Sequence, residues 1–157
     1  MEQLGQKGIR ATVAIIGSCW LLAGAAYASE LGTMDLSKAK IAEIQQFIED
    51  EKKADDLSEI TILATDKDGT TTRIASTDKS SVGRLADPED LDAIIKDEEV
   101  SIPIGKILDV SVPLHNAKGQ PSAVAGIQME VTDKRDKNAT QKMAEEIAKK
   151  IGAFMLK

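Results

Sequence analysis

The sequence has few aromatic residues. They make up 3% of the chain, and only Phe47 and Phe154 lie outside the N-terminal apolar segment that contains Trp20 and Tyr27. Ile, Leu, Val, Ala and Met must therefore form the core, and these side chains each bury less apolar area than aromatic side chains do. The length of 157 residues and the ordinary balance of 42% hydrophobic and 29% charged residues indicate one small globular domain of modest stability.

Cysteine and histidine each occur once, as Cys19 and His115. Cys19 belongs to the N-terminal segment, so the remaining chain has no disulfide, no redox pair and no haem-attachment motif. One histidine cannot support a robust structural zinc site, and no nucleophile stands beside it in an evident triad. His115 could be a ligand or a pH-sensitive contact, although an exposed turn residue is the simpler interpretation. We therefore predict no metal, no cofactor and no enzymatic activity.

The chain also lacks an excess of positive charge. Its formal net charge is −6, and removal of residues 1–28 takes away Glu2, Lys7 and Arg10, which makes the remainder −7. A surface of this sign repels phosphate backbones and anionic lipid headgroups. We therefore expect no nucleic-acid partner, and contact with a membrane only through residues 11–28.

Residues 1–28 have the features of a signal peptide. Lys7 and Arg10 form a positive region, residues 11–28 are uncharged and mostly apolar, and Ala26 and Ala28 place small residues where signal peptidase requires them. Cleavage after Ala28 would leave residues 29–157 as the mature domain.

Two other fates of this segment remain open. Eighteen apolar residues can just span a bilayer, so residues 11–28 could stay uncut as a membrane anchor. Residues 16–19 loosely resemble a lipoprotein signal, but the apolar run continues beyond Cys19. Each alternative places the folded domain outside the cytoplasmic membrane, either periplasmic or secreted, or anchored to the outer face of that membrane.

Hydrophobic periodicity and turn residues predict an α+β fold with an antiparallel sheet of about five strands between N-terminal and C-terminal helices. An Asp-Lys-Asp-Gly turn at 66–69 joins the first hairpin, and Asp87-Pro88 is typical of a helix start. Small residues such as Gly126 would let another group approach the sheet closely. The predicted helices are 37–51, 88–97 and 133–154, and the predicted strands are 59–65, 70–76, 101–104, 106–114 and 123–131.

Two hairpins carry a family resemblance. TDKDG at 65–69, IASTD at 74–78 and VGR at 82–84 resemble the first hairpin of single Cache domains, which are extracytoplasmic PAS-like sensors. VSVPL at 110–114, KGQP at 118–121 and GI at 126–127 resemble the last hairpin of that family. The resemblance covers about residues 36–150.

The resemblance implies a small-molecule sensor. The family binds a small organic ligand, often a carboxylate or an amino acid, between the sheet and the segment that joins the hairpins, here 77–102. The sequence itself contains no kinase, methyl-accepting or cyclase module. We therefore expect it to signal through a partner protein, such as a sensor kinase or receptor.

Four residues are candidate ligand contacts: Arg73, Thr77, Arg84 and Lys106. A guanidinium can clamp a carboxylate with two hydrogen bonds, and strand alternation would place Arg73 on the same face as Thr71 and Ala75. The alternative for each of the four is an ordinary surface or loop role.

The alternative function is an interaction protein without a ligand. Met143, Ile147, Ile151 and Phe154 recur at helical spacing, and this stripe or the open sheet face could form a homodimer. An enzyme is the weakest interpretation, because no nucleophile–base pair or cofactor motif is evident.

Overall fold

The computed structural model describes residues 31–157. The predicted signal peptide, its membrane-anchor alternative and Cys19 lie outside the described residues. None of the helices within 31–157 has the length and apolar character needed to cross a bilayer.

Residues 31–157 form three helices and five strands, in the predicted order. The helices are α1 (Lys38–Asp55), α2 (Pro88–Lys96) and α3 (Lys137–Met155), and the strands are β1 (Glu59–Thr65), β2 (Thr71–Ser76), β3 (Val100–Ile104), β4 (Ile107–His115) and β5 (Pro121–Glu130). A short 3₁₀ turn, Lys79–Ser81, follows β2. The α+β prediction is therefore confirmed.

The boundaries of the elements follow local capping chemistry. The Ser37 side chain accepts a hydrogen bond from the Lys40 N–H and caps α1, which ends four residues later than predicted. The last helix begins at Lys137 and not near Asp133, because a turn closed between Thr132 and Arg135 precedes it.

All five strands belong to one antiparallel sheet with the order β2-β1-β5-β4-β3. Both predicted hairpins are present, and β1 and β5, which are distant in sequence, pair along the centre. Strand β3 lies at one edge, where Pro103 is tolerated because an edge strand needs fewer ladder hydrogen bonds.

The larger core lies between one face of the sheet and helices α1 and α3. Ile44 and Ile48 from α1 and Ile147 and Ile151 from α3 are fully or almost fully buried there. The rings of Phe47 and Phe154 stack between the helices, with centroids 4.5 Å apart. The stripe proposed above as a dimer surface therefore packs within its own chain, and the alternative based on it is wrong in that respect.

Helix α2 covers the opposite face of the sheet with a much smaller core. Ala93 and Ile94 pack there with Leu63 of β1 and Val124 of β5. Asp87 and Pro88 begin the helix, as the sequence predicted, and Asp87 also forms a capping box with Asp90. The sheet thus lies between two helical layers of unequal apolar content.

We predict that the larger core dominates stability. Ile127→Ala removes a fully buried side chain of β5 and should lower the free energy of unfolding by about 2–5 kcal/mol. Ile95→Ala is the matched control, because Ile95 is 46% exposed and its truncation should change the free energy by less than about 0.5 kcal/mol. Urea unfolding followed by circular dichroism measures both, and equal losses would contradict the assignment of the core.

Candidate functional site

A small cavity of about 70 Å³ lies between α2 and the sheet, in the position predicted for a ligand pocket. Side chains from four strands and from the start of α2 converge on it. Its lining residues are Glu59, Thr61, Arg73, Asp87, Glu89, Asp90, Asp109, Gly126 and Gln128. Five of these nine residues are carboxylates and one is a cation, so the site is strongly acidic.

Gly126 of the central strand β5 leaves space for the cavity. A Cβ atom at this position would lie 3.8 Å from Asp90 Oδ1 and 3.8 Å from the Thr61 Cβ. These are ordinary contact distances, so a methyl group would fit the backbone but would occupy part of the cavity. The cavity therefore exists because Gly126 has no side chain at this position in the middle of the sheet.

Asp90 is the most buried carboxylate of the site, with 6% of its surface exposed. Its Oδ1 accepts a hydrogen bond of 2.7 Å from the Ser111 hydroxyl on β4, and its Oδ2 accepts a longer one of 3.4 Å from the Asp87 N–H. Burial raises the pKa of the Asp90 carboxyl above its ordinary value, and the Ser111 hydrogen bond opposes that rise. One acidic group of α2 is thus tied directly to the sheet.

Glu59, Gln128 and Asp109 are cross-strand neighbours on β1, β5 and β4. Asp109 Oδ2 accepts a hydrogen bond of 2.9 Å from the Gln128 amide. Burial raises the pKa of Asp109 to about 6, the Gln128 hydrogen bond opposes the rise, and the negative charge of Asp90 adds to it. Asp109 therefore changes charge near neutral pH.

Glu59 is held by hydroxyl donors. Its Oε1 accepts hydrogen bonds of 3.1 Å from Thr61 and 3.1 Å from Ser76, and those two hydroxyls lie 3.2 Å apart. These contacts fix the orientation of the carboxylate at the edge of the cavity nearest β2.

Arg73 is the single cation among the lining residues. Its guanidinium donates to the Asp87 carboxylate at the start of α2, while its Nε is buried without a hydrogen-bond partner among residues 31–157. A β-bulge brings Arg73 here: Ile62 pairs with Ala75 but Leu63 pairs with Arg73. Arg73 therefore faces α2 with Leu63, while Ala75 lies in the larger core, so the prediction that both share one face is wrong.

The other three predicted contacts lie away from this cavity. The Thr77 hydroxyl accepts a hydrogen bond of 3.0 Å from the Ile60 N–H. Arg84 is exposed, and its carbonyl accepts a hydrogen bond of 2.9 Å from the Arg73 N–H. Lys106 is exposed at the turn between β3 and β4. The structure therefore brings Arg73 to the cavity and leaves Thr77, Arg84 and Lys106 outside its lining.

The acidic lining was not predicted, because the candidate contacts were residues that would suit an anionic ligand. A usable signal was present: Asp109 and Ser111 interrupt an apolar strand at alternate positions, and Glu59 and Thr61 do the same in β1. Charged residues within a buried strand indicate a polar face that something else must cover.

Metal binding has little support at this site. No three histidine, cysteine, aspartate or glutamate side chains in the part of the chain that the structure describes are arranged to hold a metal ion. Four of the five carboxylates, those of Glu59, Asp87, Asp90 and Asp109, instead accept hydrogen bonds from hydroxyl, amide or guanidinium donors.

Comparisons with known proteins define the fold. No protein-family model matches this chain, and no curated protein matches it in sequence. Solved structures do match it. The GAF domain region of a membrane protein from Geobacter sulfurreducens has a TM-score of 0.57 and 10% identity, over 74% of this chain and 92% of that one.

Two further structures match with similar scores. A type II free methionine-R-sulfoxide reductase from Thermoplasma acidophilum has a TM-score of 0.55 and 16% identity, over 78% of this chain and 95% of that one. A methyl-accepting chemotaxis protein has a TM-score of 0.54 and 12% identity, over 85% of this chain and 95% of that one. The chain thus has a PAS-like fold of the GAF type, and the finer Cache assignment stays a prediction.

We predict that Asp109→Asn stabilises the protein at neutral pH. The folded-state pKa of Asp109, about 6, exceeds the unfolded value near 3.9, so the folded state binds more protons between these values. The free energy of unfolding is therefore highest, with respect to Asp109, at low pH. It falls as the pH rises from about 4 to about 6, because the folded state must then carry a partly buried charge. Asparagine keeps an acceptor for Gln128 without the buried charge.

The variant should be more stable than the wild type by about 1–2 kcal/mol at pH 7.5, after allowance for solvent screening, and equal to it near pH 4. Urea unfolding at both pH values measures the difference, with exposed Asp92→Asn as the control. A stability difference that does not change with pH would contradict the prediction.

Proposed function

We propose that the chain is a small-molecule-binding sensory domain that transmits ligand occupancy to a partner protein. The observation that carries the proposal is the small, charged cavity beneath α2, which lies between the sheet and the segment joining the two hairpins. The GAF-type fold supports the same class of function, because a methyl-accepting chemotaxis protein is among the solved structures that share it.

The lining charge favours a ligand that carries a positive group. Carboxylates from β1, β4 and α2 would repel a simple carboxylate, which is one of the two ligand types expected from the sequence. An amino acid or a small amine suits the lining better, because its ammonium group would lie among the carboxylates. The buried Nε of Arg73 offers a free donor for the carboxylate of an amino acid.

The size of the cavity connects binding to movement. The cavity volume of about 70 Å³ is well below the roughly 300 Å³ at which small-molecule pockets usually begin. A ligand of amino-acid size would therefore enter only as α2 moves outward from the sheet. Because α2 has a small apolar core, it is the element best suited to report occupancy to a partner.

A role without catalysis is part of the proposal. The lining has no cysteine, histidine or lysine, and its one hydroxyl, on Thr61, donates to the Glu59 carboxylate without a histidine that would complete a catalytic triad. The same fold does include a reductase, so the argument depends on the lining residues and not on the fold. The proposed site of action is outside the cytoplasmic membrane, on the basis of residues 1–28, with a sensor kinase or receptor as the partner.

A thermal-shift screen of amino acids, small amines and small carboxylates at pH 7.5 tests the proposal. Ligands with an ammonium group should raise the melting temperature, since a ligand at one hundred times its Kd adds about 2.7 kcal/mol to the folded state. Carboxylates without an ammonium group should give no shift.

Gly126→Ala provides the matched variant. The added methyl group meets only ordinary contacts, so the variant should fold with a stability within about 1 kcal/mol of the wild type. It should lose the ligand-induced shift by at least tenfold in apparent Kd, whereas Asp92→Asn on the outer side of α2 should keep it. A screen with no hits, or hits that Gly126→Ala leaves unchanged, would refute this function.

A further inference from the structure

Helix α2 is attached to the sheet by one charged contact at each end. At its start, the Asp87 carboxylate binds the guanidinium of Arg73 on β2. Just beyond its last residue, Asp97 caps the helix in the left-handed conformation, and its Oδ1 lies 2.8 Å from Nε2 of His115 on β4. The two pairs lie at opposite ends of the helix.

The apolar attachment between these ends is weak. The core beneath α2 contains four buried residues, whereas the core beneath α1 and α3 contains nineteen. The central polar contact is the hydrogen bond between Asp90 and Ser111. Charged and polar groups therefore have an unusually large share in deciding whether α2 stays on the sheet.

The groups that face α2 from the sheet are mainly acidic. Glu59 projects from β1 and Asp109 from β4, and α2 itself adds Asp87, Glu89 and Asp90. Arg73 of β2 is the one cation among them, and Asp87 engages it. At the other end, His115 faces Asp97, and Glu145 and Lys149 of α3 line the same cleft as His115.

We propose that α2 is a proton-controlled lid, held closed over the sheet in mildly acidic conditions and loosened as the pH rises to neutral and above. As a control on ligand access the inference rests on the proposed function, whereas the movement of the lid itself does not.

Protonation of Asp109 favours the closed lid. Burial raises the pKa of Asp109 to about 6, so acidification through this value removes a negative charge that repels Asp90. At the other end of the helix, the 2.8 Å contact between His115 Nε2 and Asp97 Oδ1 holds the end of α2 against β4. The Arg73 guanidinium stays charged throughout and serves as the fixed attachment.

Amide hydrogen exchange of the full chain between pH 5 and pH 8, without ligand, tests the inference. After correction for the intrinsic rate at each pH, protection in residues 90–97 should fall about tenfold from pH 5 to pH 8, the factor for one pKa unit. Protection in α3 serves as the internal reference. Unchanged protection of α2 relative to α3 over this range would overturn the inference.

Variants separate the two ends of the lid. Asp109→Asn should remove most of the pH dependence, and Asp97→Asn should lower protection at pH 5 by severalfold without altering the cavity. Asp92→Asn, which removes an exposed α2 carboxylate paired with Lys96, should behave like the wild type. If Asp109→Asn fails to fold, Asp97→Asn still provides a test. Wild-type protection of α2 in the Asp97→Asn variant would refute the role of the contact between His115 and Asp97.

The outcomes distinguish this inference from the proposed function. A pH-dependent lid in a protein that binds none of the screened ligands would support the lid and refute the ligand-binding role. Ligand binding, together with α2 protection that does not change between pH 5 and pH 8, would support the binding role and refute the lid.

Discussion

The antiparallel pairing of β5 with both β1 and β4 is the constraint on which the rest of the structure depends. Because side chains alternate along a strand, this one segment supplies two different surfaces. Ala123, Ala125 and Ile127 face α1 and α3, whereas Val124 and Gly126 face α2. A one-residue slip would exchange these sets, so the register of β5 decides both where the main core forms and where the cavity lies.

The polar face of the sheet can be buried because its polar and charged side chains form hydrogen bonds and an ion pair with one another. Serine, threonine and glutamine side chains bind the carboxylates of Glu59, Asp90 and Asp109, and Asp87 binds the guanidinium of Arg73. Burial of such groups without partners would be costly, and with partners it is tolerable but leaves raised pKa values at two carboxylates. The same arrangement therefore explains the modest apolar core under α2 and its sensitivity to charge.

Much of the fold could be predicted from the sequence because its signals are local. The turn at Asp66 and Gly69 and the helix start at Asp87-Pro88 depend on the backbone preferences of those residues alone. The residues of the site were harder to predict than the fold. The site depends on which face of each strand a residue occupies and on which strands become neighbours. Of the four predicted contacts, only Arg73 lines the cavity, and the acidic partners Asp90 and Asp109 come from segments that are distant in sequence.

The bulge between β1 and β2 illustrates why alternation alone misled. One additional residue in β2 lies opposite the step from Ile62 to Leu63, so the first half of the strand is rotated relative to its second half. If β2 instead paired regularly with β1, Ile74 would lie opposite Leu63 and Arg73 opposite Ala64. The guanidinium of Arg73 would then point toward the apolar layer under α1, and the side chain of Ile74 toward the acids. The charge balance of this face of the protein therefore depends on a single bulge and not only on the chemistry of its residues.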